Sequence, residues 1–72
     1  MSPEKLVLMA NQIATFFRSQ PGNEQAERIA DHINDFWEPR MRRQFFSHVA
    51  AGGEGLDPLV LEAATFVREP AD

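Results

Sequence analysis

Prolines and glycines divide this chain of 72 residues into four short segments, and each repeats its apolar residues with the period of an α-helix. The breaks fall at residues 20–23, 38–39 and 51–55. The residue before a proline disfavours helical backbone, and glycines commonly end helices, so no segment continues into the next. The pattern predicts an all-α fold: a compact bundle of four short helices in a single domain over residues 1–72.

The first segment predicts the central helix. Ser2, Pro3 and Glu4 supply a capping hydroxyl, a proline for the first helical position and an acid at the positive end of the helix dipole. The apolar residues cover about half of the helix circumference, wider than the ~100° stripe of a surface helix. They are Leu6, Val7, Met9, Ala10, Ile13, Ala14, Phe16 and Phe17.

The other three segments carry narrower stripes. We expect Asn23 to cap the second helix, Pro39 to open the third, and Asp57 with Pro58 to begin the fourth. The tail, residues 68–72, is expected to fray. The stripes are Ala26, Ile29, Ile33, Phe36 and Trp37, then Met41, Phe45, His48 and Val49, then Leu59, Val60, Ala63, Phe66 and Val67.

Composition points to association with another protein. The chain is 43% hydrophobic and has no cysteine, so neither a disulfide nor a thiolate metal site holds it together. A domain this small has a stability margin of about 3–5 kcal/mol without such support. The net charge of −4 and the lack of a signal peptide or long apolar run predict a soluble, cytoplasmic protein that contacts neither nucleic acid nor membrane.

The residues suited to chemistry form no recognisable site. Asp31, His32, Asp35 and His48 are the candidate metal ligands, but their spacing matches no zinc motif. Ser47 points about 100° away from His48 on a helix. The glycines at 52–55 lack the lysine and hydroxyl of a phosphate-binding loop. We therefore predict no catalytic, cofactor-binding or metal-binding residue and no small-molecule substrate.

Arg40, Arg42 and Arg43 form the basic cluster, in a segment (residues 38–51) of net charge +2. They fall in the first turn of a helix, where the dipole disfavours cations. They either pair internally, with Glu38, Asp35 or the acidic C-terminal third, or bind carboxylates of an acidic partner.

Several large apolar residues fall outside the helical stripes. Leu8, Phe46 and Leu61 indicate either a second hydrophobic face or helices buried on more than one side. Trp37, at the corner between helices 2 and 3, is either an interface anchor or a core residue. The candidate partner interface therefore comprises Arg40, Arg42, Arg43, Phe46, Trp37, Leu8 and Leu61.

Four motifs, in order, resemble one known family over about residues 2–67. They are residues 9–17 (MANQIATFF), 30–37 (ADHINDFW), 39–42 (PRMR) and 55–60 (GLDPLV), with the Pro21-Gly22 break between the first two. The family is the delta subunit of cytosolic, NAD-dependent, molybdenum-containing formate dehydrogenases.

The resemblance implies an accessory chain in a complex that oxidises formate to carbon dioxide and reduces NAD. It implies that partner subunits hold molybdopterin guanine dinucleotide, iron–sulfur clusters and FMN, while this chain holds no cofactor. The expected partner is the catalytic (alpha) subunit. The family implies no catalytic residue for the delta chain.

Three functions compete at this stage. The first is a non-catalytic subunit that docks on the catalytic subunit and supports assembly, cofactor retention or stability. The second is a maturation chaperone that holds the catalytic subunit during molybdenum cofactor insertion and then leaves. The third is a small helical DNA-binding regulator, with the arginines at the start of a recognition helix.

Overall fold

Four α-helices and one short 3-10 turn make up the computed structural model, which describes residues 2–70. The helices are α1 (Pro3–Arg18), α2 (Gln25–Phe36), α3 (Pro39–Ala50) and α4 (Pro58–Ala63), and the 3-10 turn is Ala64–Phe66. No strand occurs in residues 2–70. The predicted all-α bundle of four short helices is confirmed.

The helix starts follow the capping residues in the sequence. The Ser2 hydroxyl accepts a hydrogen bond from the Lys5 N–H at 3.3 Å, and Asp57 accepts one from the Leu59 N–H at 2.9 Å. Each satisfies an amide that the first turn leaves without a partner. At α2 the prediction was wrong: the capping position is Glu24, not Asn23, and its side chain makes no capping bond.

The fourth helix is shorter than its apolar stripe predicted. It ends at Ala63, and the 3-10 turn continues the chain to Phe66 before extended backbone begins at Val67. None of the helices within residues 2–70 is both long and apolar enough to span a bilayer.

One glycine in the connection from α3 to α4 is required by its surroundings. Gly53 is buried and has a φ of +65°. A Cβ at this position would lie 2.6 Å from Leu61 Cδ2, closer than real side chains approach. A side chain at this position would strain the backbone, and the end of the Leu61 side chain would have to shift to make room for it.

The core forms where α1, α2 and α4 meet. Ala10 and Ala14 are fully buried on α1, and such small residues allow a neighbouring helix to approach closely. Trp37 lies edge-on to Phe45, with ring centroids 6.0 Å apart. The buried apolar residues are Leu6, Ala10, Ala14, Ala26, Ile29, Ala30, Ile33, Trp37, Phe45, Leu56, Val60, Ala63 and Val67.

The third helix contributes least to this core. Phe45 is the one residue of α3 that is fully buried, while Met41, Phe46 and Val49 are half-buried against the core. Most of the surface of α3 therefore remains exposed along the side of the bundle.

Asn11 joins the α3–α4 connection to the middle of α1. Its Nδ2 donates to the Gly55 carbonyl at 2.9 Å, and its Oδ1 accepts from the Asp57 N–H at 2.8 Å. We call this pair of bonds the Asn11 bridge. It gives hydrogen-bond partners to two backbone groups of the α3–α4 connection, which has no regular secondary structure to pair them.

Arg18, at the C-terminal end of α1, pairs with Asp57 in the same connection. The Arg18 hydrogen bond lowers the pKa of Asp57 below its ordinary value, and the Leu59 N–H bond adds to the effect. Asp57 therefore makes three contacts with two helices: its carboxylate caps α4 and pairs with Arg18 of α1, and its N–H donates to Asn11 of α1.

A second set of bonds fastens the segment after the 3-10 turn. The Arg68 N–H donates to Asn34 Oδ1 at 2.8 Å, and the Arg68 carbonyl accepts from Arg42 at 3.3 Å. These bonds join Arg68 to α2 and α3. The fraying of residues 68–72 stays a prediction, and residues 71–72 lie outside the described part of the chain.

Replacing Asn11 with alanine should destabilise the chain by about 1–2 kcal/mol, because the Asp57 N–H and the Gly55 carbonyl both lose a partner. Urea unfolding followed by circular dichroism measures this loss. Gln12→Ala is the matched control, since it makes a similar change at an exposed neighbour on α1. An equal effect of both substitutions would contradict a bridging role for Asn11.

Lowering the pH should reduce the contribution of Asp57 to the free energy of unfolding. Because its pKa is lowered in the folded chain, its stabilisation is present above the ordinary value of 3.8 and is lost as the pH falls through the folded pKa. Asp57→Asn retains a capping oxygen but cannot ionise. We expect the difference in unfolding free energy between the wild type and Asp57→Asn to shrink below pH 3.8. A constant difference would exclude the ion pair as its source.

Candidate interaction surfaces

Four aromatic side chains form a continuous surface where the end of α1 meets α2. Phe16 lies edge-on to Phe17 at 5.1 Å between centroids, Phe17 lies 6.4 Å from His32, and His32 lies 4.8 Å from Phe36. Phe16 is 59% exposed and Phe36 is 74% exposed. We call Phe16, Phe17, His32 and Phe36 the aromatic surface.

A shallow groove of about 340 Å³ begins under these rings. The residues that line it are Met9, Gln12, Ile13, Phe16, Phe17, His32 and Trp37. The groove is open to solvent and mainly apolar. Such a depression suits a protruding apolar side chain of a protein partner.

Acidic residues border the aromatic surface on α2. Asp31 and Asp35 are both exposed, and Asp35 follows His32 by three residues, so these two side chains are neighbours on the helix surface. An aromatic surface with carboxylates at its edge favours a partner surface that is apolar at its centre and basic at its rim.

Phe16 and Phe36 are exposed, although both belong to the apolar stripes of their helices. Each lies at the edge of its stripe. On α1 the core closes around Ala10 and Ala14, so an apolar arc of about 180° is wider than the buried face. In the sequence, the exposure of Phe16 is indicated by an apolar stripe on α1 that is wider than the face a surface helix buries.

The basic cluster divides into two parts. Arg40 and Arg43 are exposed and line a groove beside the start of α1. Arg42 is half-buried and donates to the Arg68 carbonyl, so it binds the C-terminal third through a main-chain oxygen and not through a carboxylate. Within residues 2–70 neither Arg40 nor Arg42 forms an ion pair.

The other predicted interface residues fall in different environments. Leu8 is 57% exposed and Leu61 is 38% exposed, whereas Phe46 is half-buried and packs against the core. Trp37 is 5% exposed and belongs to the core. Any role of these residues in binding a partner stays a prediction, and the burial of Trp37 leaves it little surface for contact.

The two histidines have structural contacts. His48 Nε2 donates to the Glu54 carbonyl at 2.7 Å, in the turn that follows α3, and His32 stacks in the aromatic surface. In the part of the chain that the structure describes, no group of three or more histidines and acids is placed to hold a metal ion. The arrangement is suited to binding through apolar and charged surfaces.

Comparison with family models identifies the chain. The model described as NADH-dependent formate dehydrogenase delta subunit, FdsD, matches residues 5–64. The chain belongs to this family. The matched range contains nearly all of α1 and the whole of α2, α3 and α4, so it includes the aromatic surface and the basic cluster.

The resemblance drawn from the sequence motifs is therefore confirmed, and the chain is a delta subunit of an NAD-dependent formate dehydrogenase by family. The match ends before Arg68, so the contacts of the C-terminal segment lie outside it. No curated protein matches the chain.

Substitution should lower the free energy of unfolding much more at Trp37 than at the adjacent Phe36. Trp37→Ala should cost about 3–5 kcal/mol, because it empties a buried site against Phe45. Phe36→Ser should cost less than about 1 kcal/mol, because the ring is mostly exposed. Urea unfolding followed by circular dichroism compares the two. Similar losses would contradict the assignment of Trp37 to the core and Phe36 to the surface.

Proposed function

We propose that this chain is a non-catalytic subunit that docks through its aromatic surface onto the catalytic (alpha) subunit of a cytoplasmic formate dehydrogenase complex. In that role it supports assembly, cofactor retention or stability of the larger subunit. The observation that carries the proposal is the exposure of Phe16 and Phe36 in a chain of the delta-subunit family.

The unfavourable free energy of exposing the Phe16 and Phe36 rings to water supports a docking role. Exposed apolar residues scattered singly are ordinary, but contiguous aromatic residues beside a groove are typical of protein-binding sites. Aromatic side chains also contribute most strongly to binding energy when a partner excludes water from them. A chain with a narrow stability margin gains from such a partner, because binding to the folded state alone stabilises it.

The contacts of the polar residues support a non-catalytic role. Asp57 and Arg18 hold the α3–α4 connection, and His48 closes the turn after α3. These groups serve the fold. We propose that molybdopterin guanine dinucleotide, the iron–sulfur clusters, FMN and the NAD site belong to partner subunits, and that this chain binds no cofactor, substrate or nucleic acid itself.

Phe16→Ser combined with Phe36→Ser should strongly weaken docking while leaving the fold intact. We expect at least a thirtyfold loss of affinity, since removing a hot-spot residue costs about 2 kcal/mol or more. The measurement is co-purification of the tagged chain with the large subunits after co-expression. Phe66→Ser is the matched control, because Phe66 is 49% exposed but lies outside the aromatic surface.

Assays of the protein that co-purifies with the tagged chain distinguish a permanent subunit from a maturation chaperone. Formate-dependent NAD reduction that elutes with the wild-type chain in fixed ratio supports a permanent subunit. A catalytic subunit that elutes inactive and without molybdenum supports a maturation chaperone instead. Failure of the wild-type chain to retain any large subunit would overturn the proposal, as would equal binding by the double variant.

A further inference from the structure

A second groove lies between α3 and the beginning of α1, away from the aromatic surface. It has a volume of about 490 Å³. Pro3, Leu6 and Ala51 give it apolar walls, and Leu6 is almost completely buried. Arg40 and Arg43 stand on its α3 side. We call it the basic groove.

One face of α3 runs along the groove and forms one of its sides. Arg40, Arg43 and Ser47 follow one another at spacings of three and four residues, so they lie along the same side of the helix, and Ala51 continues the row at the C-terminal cap. Eleven residues of helix measure about 16 Å. That length is far greater than a small anion needs, and it equals about five residues of extended polypeptide.

Local stability does not explain the position of Arg40. Arg40 lies in the first turn of α3, which contains no acidic residue, so the helix dipole disfavours the cation there. The surrounding segment is net positive inside a chain of net charge −4. The net negative charge of the chain therefore repels an acidic partner segment, whereas the positive charge at this groove attracts it. The difference directs the segment to the groove.

The charge also changes along the groove. His48 lines its far end and also borders a neighbouring depression that contains Glu4 and Glu54. The arginine end is basic, and the end near His48 adjoins two acids. A bound segment is thus oriented, with its carboxylates toward Arg40 and Arg43 and its apolar side chains over Leu6 and Pro3.

From this arrangement we infer that the basic groove is a second docking site, which binds an acidic segment with interspersed apolar residues from a polypeptide partner. The guanidinium groups of Arg40 and Arg43 hold the carboxylates, while the apolar walls receive the side chains between them. Leu6 of the basic groove and Phe16 of the aromatic surface are ten residues apart on α1, so the two surfaces are separated by about 15 Å along the helix. The chain can therefore contact two regions at once.

The test uses the full chain alone, so its failure is distinguishable from failure of docking through the aromatic surface. The probe is a short fluorescein-labelled peptide in which aspartate alternates with leucine, and its anisotropy is measured as the chain is added. We expect saturable binding that weakens between low salt and an ionic strength of about 0.15 M. The matched control peptide has asparagine in place of each aspartate and should not bind.

Arg40→Gln combined with Arg43→Gln should weaken binding of the aspartate peptide at least tenfold. Arg28→Gln is the matched control, because Arg28 is exposed on α2 and does not line the groove. Circular dichroism of each variant should match the wild type, since the substituted side chains are exposed.

Several outcomes would overturn the inference. Equal binding of the asparagine peptide, or an equal loss with Arg28→Gln, would show unspecific attraction. Complete displacement of the peptide by inorganic phosphate at low concentration would show a small-anion site. Tighter binding of duplex DNA with the same dependence on Arg40 and Arg43 would show a nucleic-acid surface. Absence of peptide binding at low salt would leave the groove without the proposed occupant.

Discussion

The connection between α3 and α4 is held in place from α1, and the rest of the structure depends on that attachment. The Asn11 bridge fixes the Gly55 carbonyl and the Asp57 N–H, and Arg18 fixes the Asp57 carboxylate. These partners are 39 to 46 residues apart in the sequence, so the bonds close a long loop at considerable entropic cost. Once the loop is closed, Asp57 starts α4 at the position where Val60 and Ala63 complete the core.

That attachment also explains why so much apolar surface remains outside. α1 provides buried contacts through Ala10 and Ala14 in its middle, polar contacts through Asn11 and Arg18, and free surface at both ends. The aromatic surface lies at its C-terminal end and the basic groove at its N-terminal end. A small bundle organised around one helix in this way buries a thin core and leaves both the aromatic surface and the basic groove open to solvent.

The sequence predicted the features that depend on neighbouring residues. Helix starts at Pro3, Pro39 and Pro58 follow from local capping rules, and the all-α class follows from the apolar period. The Asn11 bridge could not be predicted, because Asn11 lies on the polar face of α1 and its partners are distant in sequence. Nor could periodicity separate Phe36 from Trp37: only three-dimensional packing decides which of two adjacent aromatic residues enters the core.

Hydroxyl-radical footprinting of the assembled complex tests the docking surface most directly. The oxidation rates of Phe16, Phe36 and Phe66 are compared in the free chain and in the complex with the large subunits, since all three rings are exposed in the free chain. Docking through the aromatic surface predicts strong protection of Phe16 and Phe36 and little change at Phe66. Unchanged oxidation of Phe16 and Phe36 in the complex would contradict it.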